Sequence, residues 1–95
     1  MMNKITFGDL HRLLGQFGFK QKEVEGPYGP YIVFEHEPTG ALQAFRAHRT
    51  TERVDPMTLA AVRVMLVGNG FLNRDEFEGA LREASANGTP RAKRK

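Results

Sequence analysis

A chain of 95 residues with a formal net charge of +3 is long enough for one domain with one modest core. It has no cysteine, which excludes disulfides, thiolate zinc sites and a cysteine nucleophile. No apolar run is long enough to span a bilayer, and the start, MMNKITFGDL, has no apolar stretch of signal-peptide length, so a cytoplasmic protein is expected. The net charge overstates the affinity for polyanions. Arg91, Lys93, Arg94 and Lys95 all lie in the stretch 87–95, and removing those four from +3 leaves −1 on the rest. Attraction to phosphate therefore has to come from that tail or from local patches.

Thr6 is a helix N-cap, with Asp9 three residues on as the capping-box acid. Leu10, Leu13, Leu14 and Phe17 follow at i, i+3, i+4 and i+7, which predicts a helix over 7–17. Gly18 suits a left-handed C-terminal cap and Phe19 its apolar anchor. Gly8 and Gly15 weaken the helix but allow another element to come close. The stretch 19–25, FKQKEVE, reads as a polar edge strand, and GPYGP (26–30) as a turn. YIVFE (31–35) is the strongest strand, with Ile32 and Phe34 on one face and Tyr31, Val33 and Glu35 on the other.

EPTG (37–40) turns the chain and ALQAFRA (41–47) returns as a third strand. HRTTERV (48–54) is an irregular, charged connection. Asp55 caps a helix with Pro56 at its first position; Leu59, Val62, Met65 and Leu66 are its buried stripe, and GNG (68–70) ends it. Asn73, with Glu76 three residues later, caps a short last helix whose apolar face is Phe77, Ala80, Leu81 and Ala84. The pattern predicts an α+β two-layer sandwich, α-β-β-β-α with a short extra C-terminal helix, around a three-stranded antiparallel sheet. One domain is expected over 1–86 and a disordered basic tail over 87–95.

These pieces, in this order, resemble the HicA family of small toxins from bacterial toxin–antitoxin pairs, which share a double-stranded-RNA-binding-like fold and cleave mRNA. LHRLLGQFGF is similar to the family's first helix and its Gly-Phe exit, and GPYIVF stands where the family has Gly-Ser-His and an apolar strand. FRAH matches the family's valine-proline-x-histidine, DPMTLAAV its Gly-Thr-Leu helix start, and GFLNRDEF its closing Gly-Leu-x-x-x-Glu-Phe. The chain departs from the pattern in three places. Tyr31 takes the position of the catalytic histidine, Pro30 that of the serine before it, and the helix after Pro56 is about one turn longer.

The resemblance implies a site at Tyr31 and His48, with Arg46 and Arg49 on phosphate. Arg53 and the hydroxyls of Thr50 and Thr51 lie in the same segment. Histidine suits acid–base work near neutral pH, whereas tyrosine, with a free pKa of about 10, is a poor base but a good stacking surface for a nucleobase. Packing alone also accounts for an aromatic residue in a strand, and solvation alone for a charged loop. His36, between two carboxylates, reads as a surface residue at a strand end, and His11 as an exposed helix residue. Glu35, His36 and Glu37 alternate faces along a strand and do not converge on a metal; no metal or cofactor is expected. Lys93 and Arg94 in the tail offer weak, salt-sensitive RNA binding. Two functions are compatible with these residues. One is a HicA-like RNA-binding domain, as a diverged mRNA interferase controlled by a protein antitoxin. The other is a catalytically silent module that keeps the fold and pairs with another protein or with itself.

Overall fold

The capping residues of the first helix set its start as the sequence predicts. In a computed structural model that describes residues 5–87, α1 (Phe7–Gln16) begins after Thr6. The Asp9 N–H donates to Thr6 Oγ1 at 3.2 Å and the Thr6 N–H donates to Asp9 Oδ2 at 3.0 Å, so the capping box is complete. Leu10, Leu13 and Leu14 are fully buried. Phe17 falls just outside the helix as its C-cap. Gly18 follows with φ +90, the Gly18 N–H bonding to the Gly15 carbonyl and the Phe19 N–H to the Leu14 carbonyl. That double bond pattern turns the chain sharply into the sheet.

Strands β1 (Lys20–Gly26), β2 (Gly29–His36) and β3 (Ala41–Arg46) form an antiparallel sheet in the order β1-β2-β3. The first turn is tighter than GPYGP suggests. Pairing continues to Gly26 opposite Gly29, and only Pro27 and Tyr28 bridge the strands. Gly29, at φ +121, takes the conformation that closes so short a loop. Pro30 then lies inside β2 opposite Glu25, not in the turn. β1 is an exposed edge strand throughout its polar part.

The helices α2 (Pro56–Gly68) and α3 (Arg74–Asn87) join α1 on one side of the sheet. Ile32, Phe34, Ala41 and Phe45 of the sheet share a single apolar cluster with the buried stripes of all three helices, among them Leu14, Val62, Leu66 and Leu81. The chain is therefore an α+β sandwich of one helical layer and one sheet. Asp55 caps α2, accepting the Thr58 N–H at 3.2 Å. The last helix is not short: it has 14 residues against 13 for α2. Its stripe of Phe77, Leu81 and Ala84 is buried in that cluster, and Arg12 Nε donates to the Ala84 carbonyl at 3.1 Å near its end. Arg12 thus satisfies one of the carbonyls a helix leaves over at its C-terminus. Asn87, which composition assigns to the tail, closes α3, and the basic residues beyond it, Lys93 and Arg94 included, lie outside the described residues. Among the described residues no helix is long and apolar enough to cross a membrane.

Among the described residues, no helix packs on the second face of the sheet. Register places Tyr31, Val33 and Glu35 there, with Lys20, Lys22 and Val24 from β1 and Leu42, Ala44 and Arg46 from β3. Val33 is 9% exposed yet outside the core cluster, covered by the side chains around it, whereas Leu42 is 51% exposed. This division predicts opposite responses to truncation. Phe34→Ala is expected to cost about 3–5 kcal/mol in equilibrium denaturation. Leu42→Ala, on the uncovered face of the same sheet, is expected to stay within about 0.5 kcal/mol.

Candidate functional site

The segment between β3 and α2 is charged but not loose. Its backbone is bound to the start of α1. The Glu52 carbonyl accepts the Phe7 N–H at 2.8 Å, the Thr50 carbonyl accepts the Gly8 N–H at 2.9 Å, and the Val54 N–H donates to the Ile5 carbonyl at 2.9 Å. Thr6 and Arg53 pair in a short antiparallel bridge. A Cβ on Gly8 would stand 3.2 Å from the Thr50 carbonyl oxygen, tighter than ordinary contact, so glycine there permits the approach. Arg49 and Glu52 fold the loop on itself, the Arg49 N–H donating to Glu52 Oε1 at 2.8 Å and the Glu52 N–H to the Arg49 carbonyl at 3.1 Å.

His48 opens this loop. Its Nδ1 lies 2.7 Å from the Arg46 carbonyl, which can only accept, so Nδ1 carries the proton. In the neutral ring Nε2 is then an acceptor. It faces His11 Nε2 at 2.8 Å, and His11 is the donor. The His48 ring stacks on Phe7 at 3.8 Å between centroids and meets the edge of Phe45, while His11 tilts over Phe34. Burial, then the charge of His48, then that of Arg12 lower the pKa of His11 from 6.5 to about 4.

His11 is therefore a half-buried partner of His48, not the exposed helix residue its position suggests. It lies one turn after Phe7, on the edge of the apolar stripe, and nothing in the sequence links it to a residue 37 positions away. His36 is likewise packed. Its Nδ1 meets Thr39 Oγ1 at 2.8 Å and its ring contacts Phe19 and Phe71 at the opposite end of the sheet.

Tyr31 and His48 are not brought together. His48 is on the helix side with Phe7 and Phe45, while Tyr31 projects from the uncovered face. Tyr31 instead sits directly across from Arg46, with Val24 on its other side. Its ring lies across Gly26, where a Cβ would collide with Cε1. Arg49 and Arg53 are exposed on the loop. A groove of about 470 Å³ runs between β3 and the start of α2, with Arg46, His48 and Arg53 on its walls. Glu52 and Asp55 line it too and offset those cations. Glu35, on the uncovered face, pairs with Lys22 at 3.2 Å, and among the described residues no group of three or more histidines and carboxylates is placed to hold a metal ion. No family model, curated protein or solved structure matches the chain.

The histidine pair makes stability depend on pH with a definite sign. His11 binds its proton more weakly in the folded state than at the unfolded value of 6.5, so its neutral form favours folding above that pH. This contribution falls away as pH drops from 6.5 towards about 4. His11→Gln keeps an N–H donor but does not titrate. Between those limits the parent is expected to lose about 1–2 kcal/mol more than the variant, as solvent reaching the ring screens part of the shift. Urea titrations of both proteins at pH 7, 5.5 and 4.5 measure the difference.

Proposed function

We propose that the chain is a HicA-like cytoplasmic domain that binds RNA without cutting it. One observation carries the reading: both ring nitrogens of His48 are engaged inside the protein, while Tyr31 and Arg46 stand together on the other side of the sheet. Metal-free cleavage of a phosphodiester calls for an acid and a base that reach the same phosphate. Tyr31 and His48 have the sheet between them. His11, the second imidazole near His48, is itself committed as the donor to that ring. An aromatic ring beside a guanidinium remains, and this suits recognition of RNA bases and phosphates.

The groove beside β3 favours a second reading, the silent protein-binding module, whose partner would be an antitoxin-like protein. Met57 on its wall is 82% exposed and would give such a partner an apolar contact.

The two activities separate in one assay. The full chain, incubated with a doubly labelled single-stranded RNA, is expected to bind it and to leave it intact. Tyr31→His is expected to remain inactive, because the new imidazole would stand alone on the uncovered face. Cleavage by the parent that His48→Ala abolishes would overturn the reading, and absence of RNA binding would leave the protein-binding module.

A further inference from the structure

We infer that the uncovered face of the sheet is a platform for single-stranded RNA, with Tyr31 stacking on a base and Lys20, Lys22 and Arg46 holding the phosphates beside it. The inference rests on the RNA-binding reading and gives it a surface and a ligand class. It starts from the alternation of β1. Lys20 and Lys22 fall on the uncovered face with Val24, while Gln21, Glu23 and Glu25, the alternate residues of the strand, fall on the helix side. The sheet thus separates charge across its thickness. On the uncovered face Arg46 adds a third cation, and the strands place one carboxylate there, Glu35, which is tied to Lys22. In a body with a charge near zero this face carries a local excess of cations, and phosphate is the complementary ligand.

The geometry selects single strands. Tyr31 is on the central strand, and Arg46 lies opposite it on β3 at the spacing of neighbouring strands, about 5 Å. A base on the ring therefore brings its phosphate within reach of the guanidinium. Val24, 43% exposed, adjoins Tyr31 on β1, and Leu42, 51% exposed, adds apolar surface farther along β3, opposite Glu35. A duplex hides the flat faces of its bases, whereas an unpaired strand offers them to aromatic rings. Gly26 fixes the platform. With no side chain there, the Tyr31 ring rests across the backbone of β1, so little side-chain freedom is left to lose on binding. Neither His48 nor the basic loop takes part in this surface.

Fluorescence anisotropy with the full chain and a labelled single-stranded oligouridylate, over a range of salt concentrations, tests the inference. Tyr31→Ala is expected to weaken binding about 5- to 100-fold without changing the salt slope, and Tyr31→Phe to restore it. Gly26→Ala, which displaces the ring and leaves every charge in place, should act in the same direction as Tyr31→Ala. Arg46→Gln and Lys20→Gln, both at exposed positions, should each reduce the salt slope by about 0.7. Circular dichroism and thermal melting of each variant separate loss of binding from loss of folding, and the two charge variants keep the test decisive if Tyr31→Ala unfolds. Binding that survives all these changes and disappears on Arg49→Ala with Arg53→Ala, or on neutralising Lys93 and Arg94, overturns the platform but keeps the RNA-binding reading. Equal affinity for an RNA duplex, or displacement by polyglutamate at matched charge, also overturns it. A parent protein that binds no RNA at low salt overturns both.

Discussion

An α-helix starts with four backbone N–H groups that no preceding carbonyl of the helix can satisfy. In α1 each of the first groups has an answer, and two of the answers come from far away in the chain. The loop before α2 supplies carbonyls to Phe7 and Gly8, the Thr6 side chain supplies Asp9, and the Thr6 carbonyl accepts from Leu10. The position of the loop follows from this arrangement, and with it the stacking of His48 on Phe7 and the approach of His48 to His11. From the middle of α1, Arg12 bonds both to the buried Asp9 and to a carbonyl near the end of α3. One short helix is thereby the common seat of the charged loop, the histidine pair and the last helix.

Features that depend on neighbours a few residues apart were legible in the sequence. Thr6 with Asp9, Asp55 before Pro56 and Asn73 with Glu76 mark three helix starts, and each cap bonds as that local chemistry dictates. The alternation of Tyr31, Ile32, Val33 and Phe34 likewise shows which face each residue takes, since a strand has only two. The candidate site was less legible because it depends on register and on distant partners. Reading GPYGP as one broad turn hides the pairing of Gly26 with Gly29, and without that pairing nothing places the Tyr31 ring on Gly26. Proximity in sequence put Arg46, His48, Arg49 and Arg53 into one cluster. The strand ends at Arg46, and the residues on either side of that end go separate ways.

Arg46 is where the two faces of the protein meet. Its side chain belongs to the uncovered face, opposite Tyr31, while its carbonyl oxygen holds His48 on the helix side. A backbone carbonyl does not depend on the identity of its residue, so the two roles are chemically separable. A change of the guanidinium alters the outer face and leaves the anchor of the imidazole in place. The histidine pair is accordingly a structural element of the helix side, buttressed by Phe7, Phe34 and Phe45.

The bonds at the start of α1 also set an order of events during synthesis. The helix leaves the ribosome first, but the carbonyls of Thr50 and Glu52 that complete its first turn are made more than forty residues later. A helix of 10 residues has little stability in water by itself. At about 5–20 residues per second the nascent chain spends seconds with that turn open and its leucines exposed. The hairpins of the sheet can form in that interval, each needing only adjacent sequence, and the helix is secured when the segment after β3 arrives. Folding of this domain is in that sense tied to its middle: a nascent chain that stops before residue 50 has the strands and the first helix but lacks the carbonyls that complete that helix's first turn.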